Sequence, residues 1–176
     1  MRHPNSIFNF VRLPDIISLG NGLSGAASIY LSLNGYFAAA IAAVGVGALC
    51  DLADGKVARK MGLSSEFGKQ IDSLCDLVSF ILAPMVFLYS IGLQAPWAVA
   101  IEGLYVLSGI SRLARFNVTG TTGGGKFFEG VPVPVSFFLL GVYFPLVWFN
   151  LSFTILAVLF LIHAVLMVST VKIPKL

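Results

Sequence analysis

The stretch DLADGKVARKMGLSSEFGKQIDSLCD, residues 51–76, contains five of the eight acidic residues in a chain of 176. Residues three or four apart are neighbours on an α-helix, so Asp51 and Asp54 share one helix face. Asp72 and Asp76 share a face of a second helix for the same reason. Carboxylates are costly to bury in apolar surroundings unless a partner offsets the cost. We therefore predict that both pairs converge on one metal site.

The composition of the chain is typical of a membrane protein. Hydrophobic residues make up 57% of it and charged residues only 11%, and the mean hydropathy is +0.92. Such values exclude an ordinary soluble domain. The length predicts a single domain over residues 1–176. The net charge of +3 is small, and basic residues are not interleaved with aromatic ones. We therefore expect no nucleic-acid partner.

Apolar stretches predict an all-α integral membrane protein with six transmembrane helices. The predicted helices cover residues 14–33, 36–59, 68–91, 95–113, 132–148 and 151–171. A short amphipathic helix over residues 2–12 is expected to precede them and to lie in the membrane interface. The N-terminus lacks the apolar core and cleavage site of a signal peptide, so we expect it to be retained.

The distribution of basic residues predicts the orientation in the cell membrane. All eleven Lys and Arg residues lie on one side of the predicted topology or in helix ends that face that side. The opposite links, near Asn34, Gly92 and Asn150, carry none. By the positive-inside rule both termini are cytoplasmic. At a rise of 1.5 Å per residue, Asp51 and Asp76 lie about 12 Å below the cytoplasmic interface, so the site should face the cytoplasm.

The stretch 51–76 resembles the signature of the CDP-alcohol phosphotransferase family, D-x2-D-G-x2-A-R-x8-G-x3-D-x3-D. The chain matches it at all eight fixed positions, which are Asp51, Asp54, Gly55, Ala58, Arg59, Gly68, Asp72 and Asp76. The resemblance implies a membrane enzyme with a CDP-activated lipid, CDP-diacylglycerol or CDP-archaeol, as donor and CMP as leaving product. It also implies a homodimer surrounded by membrane lipids.

Four carboxylates at one depth would repel each other unless divalent cations neutralised them. Ligation by oxygen alone favours Mg²⁺ or Mn²⁺, and four aspartates suit two ions. Within the chemistry that the resemblance implies, Asp51, Asp54 and Asp72 are metal ligands. Asp76 is both a ligand and the general base for the acceptor hydroxyl.

Eight residues are predicted to bind the CDP-lipid. The segment 14–21 is similar to the P-N-x-x-T-x-x-N opening of the family, with Asp15 in place of Asn and Ser18 in place of Thr; a capped helix start with proline in its first turn is the alternative. Gly55 would let the nucleotide approach the backbone and Arg59 would hold phosphate, whereas helix packing is the alternative for Gly55 and Ala58. The predicted set is Asp15, Ser18, Asn21, Gly55, Ala58, Arg59, Ser65 and Gly68.

The acceptor is predicted from a second pattern, RLARFN at 112–117 followed by FEGVPVP at 128–134. It resembles the phosphatidylserine synthase branch of the family, which implies L-serine as acceptor. Serine needs a cation for its carboxylate, and an anion or carbonyl groups for its ammonium. The candidate acceptor residues are Arg112, Arg115, Asn117, Lys126 and Glu129. The cations could instead anchor the chain to anionic lipid, and glycerol 3-phosphate or an inositol compound is the alternative acceptor.

A cation channel or transporter is a competing function, because acids inside membranes often mark ion paths. An ion path would place acids at several depths, whereas the far half of the second and third predicted helices has none. It would also not need Gly55, Ala58 and Arg59. The role of Glu102 within the fourth predicted helix stays open. Cys50 and Cys75 are expected to pack beside the site as free thiols.

Overall fold

The computed structural model describes residues 10–63, 65–120 and 127–174. Its helices are α1 (Leu13–Leu33), α2 (Phe37–Met61), α3 (Glu66–Asp76), α4 (Ala83–Ser90), α5 (Pro96–Thr119), α6 (Val135–Gly141), α7 (Tyr143–Trp148) and α8 (Thr154–Val168). A π-helical segment, Leu77–Leu82, joins α3 to α4 without a break. Within the described ranges, short strands β1 (Phe127–Glu129) and β2 (Lys172–Pro174) pair antiparallel.

The helical membrane architecture is confirmed at the level of helix length and composition. Among the described residues, four helices are long and apolar enough to cross a membrane, over Leu13–Leu33, Phe37–Met61, Glu66–Ser90 and Pro96–Thr119. Val135–Trp148 and Thr154–Val168 are shorter apolar helices. The interfacial helix expected over 2–12 lies largely outside the described residues, and residues 10–12 are not helical.

Two predicted boundaries are corrected by the structure. The fourth helix was expected to end at residue 113, but α5 continues to Thr119, so Arg115 and Asn117 are helical rather than in a loop. The fifth was expected to be one helix, yet it divides into α6 and α7 around Val142. The cause is Pro145, whose ring conflicts with the carbonyl four residues earlier, at Gly141.

Helix α1 lies at the centre of the site-bearing half and contacts α2, α3, the π-helical segment and α4. Its buried face is polar or small, and its exposed face is apolar. The buried set includes Asp15, Ser18, Asn21, Gly25, Ser28 and Ser32. Leu19, Leu23 and Leu33 on the other side are 47%, 73% and 66% exposed. This reversal of the soluble pattern is expected where the outer face of a helix meets lipid.

Close helix contact depends on glycine at the α1 surface. An ideal Cβ on Gly25 would lie 2.5 Å from the Ser79 hydroxyl and 2.6 Å from the Ser79 Cα atom. Any side chain there would therefore push α1 away from the π-helical segment. The apolar core draws residues from that segment, α4, α5, α6 and α8, and includes Phe80, Phe87, Tyr105, Leu140 and Phe160.

We expect Gly25→Ala to lower stability, by about 1–3 kcal/mol, because overpacking displaces the backbone of a well-packed contact. Thermal unfolding in detergent measures the effect. Gly103→Ala on α5 is the matched control, since nothing lies within 4 Å of its added methyl group and alanine is the better helix former. Equal melting temperatures for the two variants would contradict the close contact.

Candidate active site

Three of the four signature aspartates meet where α2 faces α3. Asp51 on α2 and Asp72 and Asp76 on α3 each offer one carboxylate oxygen, and these oxygens lie within 4.8 Å of one another. Asp76 is 6% exposed, so its charge is largely shielded from solvent. The predicted convergence of the two acidic pairs is therefore seen for these three residues.

Asp54 lies outside this group of three, at the wall of an adjoining cleft. Its carboxylate accepts a hydrogen bond from the Ser18 hydroxyl of α1. It is still close enough to act electrostatically on Asp72. The fourth carboxylate is thus held beside the other three by α1, rather than within the same 4.8 Å group.

The donor set fits a hard divalent cation. Carboxylate oxygens are the ligands that Mg²⁺ and Mn²⁺ prefer. The Oδ1 atom of Asp72 is buried and has no hydrogen-bond partner among the residues that the structure describes. A buried, unpartnered carboxylate oxygen is costly, and a bound cation would satisfy it. The cluster could therefore hold metal.

A cleft of about 170 Å³ adjoins the aspartates between the N-terminal ends of α1 and α3 and the C-terminal end of α2. Seven of the eight residues predicted to bind the CDP-lipid line it, together with Asp54 and Asp72. The seven are Asp15, Ser18, Gly55, Ala58, Arg59, Ser65 and Gly68. Residues from two distant parts of the sequence therefore form one concave surface beside the carboxylates.

Local backbone features explain how the cleft is built. Gly62 ends α2 in the left-handed region, with φ of 65°, and lets the chain turn sharply. Ser65 then caps α3 by accepting the Gly68 N–H at 2.9 Å. The Asp15 carboxylate accepts the Arg12 N–H at 2.7 Å, so it also caps α1, as the alternative interpretation of that segment expected.

Asn21 is the predicted donor-binding residue that does not line the cleft. It is fully buried, and its side-chain amide donates to the Asp76 Oδ1 atom at 3.0 Å. The Ser79 hydroxyl donates to the Asn21 backbone carbonyl at 2.7 Å. This position does not support direct nucleotide binding by Asn21, because its amide is directed to the carboxylate instead.

Arg112, a predicted acceptor residue, is buried close enough to the aspartates for its charge to act on them. It is only 6% exposed, and its charge acts on Asp51 and Asp76. Its guanidinium lies over the Phe116 ring, 5.6 Å from the centroid, and its Nε atom has no hydrogen-bond partner in the described ranges. A buried cation with unused donor capacity can bind an anion.

The other predicted acceptor residues have architectural contacts. Arg115 donates to the backbone carbonyls of Met167 and Glu129, each at 2.9 Å, and to Val168 at 3.3 Å.

Asn117 accepts from the Ser73 hydroxyl at 3.1 Å, which joins α5 to α3. Lys126 lies outside the described residues. These contacts are with backbone carbonyls and with Ser73, whereas the charge of Arg112 acts on Asp76.

Sequence patterns did not indicate Ser79 or the buried pair Tyr105 and His163. The Tyr105 hydroxyl donates to the Phe80 carbonyl of the π-helical segment at 3.2 Å and lies 3.3 Å from the His163 Nδ1 atom. A serine three residues after Asp76 was the available signal, but serine is common in membrane helices. Cys50 and Cys75 are free thiols, as expected.

A bundle of apolar helices with an aspartate cluster beside a polar cleft is the arrangement expected of a membrane enzyme. The sequence profile of the CDP-alcohol phosphatidyltransferase family matches residues 11–171. The chain belongs to this family.

Curated relatives cover nearly the whole chain. It is 41% identical to archaetidylserine synthase of Methanothermobacter thermautotrophicus over 99% of this chain and 75% of the relative. It is 36% identical to CDP-diacylglycerol–serine O-phosphatidyltransferase of Saccharomyces cerevisiae over 98% of this chain and 74% of the relative.

A solved structure shares the fold. It is a phosphatidylinositol phosphate synthase of Mycobacterium tuberculosis with CDP-DAG bound, at a TM-score of 0.64 and 24% identity. The alignment covers 92% of this chain and 84% of that one.

We expect Asp72→Asn to weaken Mn²⁺ binding by tenfold or more, about 1.4 kcal/mol, because it removes one charge of the cluster. The free Mn²⁺ signal in electron paramagnetic resonance measures the affinity of the purified protein. Glu66→Gln is the matched control, since Glu66 lies on the same helix but is exposed and paired with Lys69 at 2.7 Å. Equal affinities in both variants would show that the metal does not bind at the cluster.

Proposed function

We propose that this protein transfers the phosphatidyl-type group of a CDP-activated lipid to the hydroxyl of L-serine and releases CMP. The observation that carries the proposal is the cleft, whose lining combines the signature residues of α2 and α3 with the polar start of α1. The names of the relatives, which are serine phosphatidyltransferases or the archaetidyl counterpart, support serine as acceptor. They also support either CDP-diacylglycerol or CDP-archaeol as donor.

The cleft provides the groups that a CDP head group needs. Arg59 is exposed at its rim, and a guanidinium binds phosphate through two parallel N–H groups. An ideal Cβ on Gly55 would have no neighbour closer than 3.4 Å, the Arg59 guanidinium, so glycine leaves this wall open. Ser18 and Ser65 add hydroxyl groups to the lining. We propose that the nucleotide lies here, next to Asp54 and Asp72.

The carboxylates would hold two divalent ions, Mg²⁺ or Mn²⁺, through Asp51, Asp54, Asp72 and Asp76. Bound ions of this kind withdraw charge from phosphate groups and offset the charge of the leaving CMP. Asp76 acts as the general base and takes the proton of the serine hydroxyl. The serine oxygen then bonds to the phosphorus nearer the lipid, and the bond from that phosphorus to the CMP oxygen breaks.

Arg112 is the residue that we propose for the serine carboxylate. It is buried near Asp76, and its Nε–H has no partner in the part of the chain that the structure describes. Glu129 and Lys126 remain candidates for the ammonium and carboxylate groups, respectively. The three carbonyl contacts of Arg115 and the Ser73 contact of Asn117 support positioning roles for those residues instead.

We further propose six membrane-spanning helices with both termini in the cytoplasm, and a homodimer in the cell membrane. The two shorter apolar segments, Val135–Trp148 and Thr154–Val168, would be the fifth and sixth. Arg12 precedes the first turn of α1 and Arg59 lies in the last turn of α2, at the helix ends that border the cleft, and these positions support a cytoplasmic site.

The proposed function predicts that purified protein with CDP-lipid and Mg²⁺ or Mn²⁺ releases CMP when serine is added. Glycerol 3-phosphate and inositol should give little or no release. Within this assay we expect Arg112→Ala to raise the KM for serine about 10- to 150-fold, the loss of a charge-assisted hydrogen bond worth roughly 1.5–3 kcal/mol. The KM for CDP-lipid should change little.

Two controls define that result. Arg112→Lys should restore only part of the serine affinity, because an ammonium lacks the planar fork. Lys60→Ala, which removes an exposed cation from the last turn of α2 outside the cleft lining, should leave both constants unchanged. Preference for another acceptor would overturn serine, and a rise only in the KM for CDP-lipid would move Arg112 to the donor site.

The proposed topology predicts from which side of the membrane a thiol reagent reaches engineered cysteines. The test uses a variant in which Cys50 and Cys75 are replaced by alanine. Cysteine at Asn34 or Gly92 should react with an impermeant thiol reagent in intact cells. Cysteine at the exposed Glu66 position should react only after the membrane is opened. The reverse pattern would place the cleft on the outside and contradict the proposed orientation.

A further inference from the structure

Asn21 is a fully buried amide in the middle of the polar face of α1, and the reaction as proposed above gives it no role. Its Nδ2 atom donates to the Asp76 Oδ1 atom at 3.0 Å. An ionised carboxylate only accepts hydrogen bonds, so the amide is oriented with its nitrogen, and not its oxygen, toward Asp76. Asn21 therefore engages one of the two Asp76 oxygens and leaves the other available.

A second bond holds the backbone of Asn21 to the helix that carries Asp76. The Ser79 hydroxyl donates to the Asn21 carbonyl at 2.7 Å, and both groups are buried. Ser79 lies three residues after Asp76, in the π-helical segment. Asn21 is thus joined at two points, by its amide and by its carbonyl, to one face of the segment 76–79. Two contacts restrict the position of the amide relative to Asp76 far more than one would.

The opposite side of Asn21 is shaped to admit the amide. An ideal Cβ on Gly47 of α2 would lie 2.7 Å from the Asn21 Oδ1 atom, so only glycine leaves room for it there. The Oδ1 atom has no hydrogen-bond partner among the described residues. Contacts with α2, α3 and the π-helical segment therefore hold the Asn21 amide in one position, where it donates to Asp76.

We infer that Asn21 is a positioning residue for Asp76, which fixes the carboxylate so that its Oδ2 atom is presented to the acceptor hydroxyl and to metal. The inference rests on the proposed function for the role of Asp76. It differs from nucleotide binding by Asn21, because Asn21 is fully buried and outside the cleft lining. Replacing Asn21 should therefore lower kcat rather than raise the KM for CDP-lipid.

Asn21→Leu removes both hydrogen-bonding groups at similar volume. Loss of a partner that orients a metal-binding side chain costs about 10- to 100-fold in activity or metal affinity. We expect kcat to fall by that factor, with the KM for CDP-lipid within about threefold of wild type. Ser28→Ala is the matched control, because Ser28 lies on the same buried face and its hydroxyl is unpartnered in the described ranges. It should retain wild-type kcat.

A double-mutant cycle on Mn²⁺ affinity tests the same inference without turnover. Asn21→Leu should weaken Mn²⁺ binding in the wild-type background and should have no further effect when Asp76→Asn is already present. An equal loss in both backgrounds would overturn the inference, since Asn21 would then act independently of Asp76. A wild-type kcat, or a tenfold rise in the KM for CDP-lipid with kcat retained, would overturn it as well.

Ser79→Ala decides the outcome if Asn21→Leu is not monodisperse in detergent. It removes the second contact with little change in volume and should lower kcat several-fold while leaving the KM for CDP-lipid unchanged. Wild-type kcat and Mn²⁺ affinity in Ser79→Ala would overturn the inference. Failure of the proposed function is distinguishable, because the wild-type protein would then release no CMP with serine while the Mn²⁺ cycle could still be measured.

Discussion

The burial of several carboxylates inside an apolar helix bundle is the constraint on which the rest of the site depends. Two like charges about 5 Å apart repel by roughly 3 kcal/mol at an effective dielectric constant of about 20. Asp51, Asp72 and Asp76 have oxygens within 4.8 Å of one another. Hydrogen-bond donors and a nearby cation offset part of this repulsion, and the metal that we propose would offset more of it. The protein itself offsets the repulsion through the hydrogen-bond donors on the polar face of α1 and through the positive charge of Arg112.

That requirement explains why α1 is polar inside and apolar outside. Ser18 donates to Asp54 and Asn21 donates to Asp76, so each acidic helix receives a hydrogen bond from α1. These bonds are short-range, and glycines such as Gly25 and Gly47 allow the backbones to approach closely enough to form them. The glycines that allow close packing are therefore also needed for the hydrogen bonds of the site, since a larger residue would separate donor from acceptor.

A second polar contact organises the side of the molecule that we propose for the acceptor. The Arg115 guanidinium binds carbonyls at the C-terminal end of α8, which lack partners within their own helix. It also binds the Glu129 carbonyl and so holds β1 beside that helix end. Gly130, with φ of 75°, continues this docking through its N–H to the Val171 carbonyl. Arg115 thus positions the segment from which Glu129 comes, even though the sequence pattern suggested a direct contact with substrate.

Sequence alone determined the features that follow from local spacing and composition. The pairs at 51 and 54 and at 72 and 76 share helix faces because of helical geometry, and the apolar runs predict helices that suit a membrane. Only the tertiary structure decided which residues of α1 meet those pairs. Asn21 lies 55 positions from Asp76 and bonds to it, whereas its motif neighbours Asp15 and Ser18 line the cleft. No local pattern encodes such a difference, because the direction of each side chain depends on how α1 crosses α2 and α3. The extension of α5 and the capping of α8 by Arg115 have the same origin in contacts between distant parts of the chain.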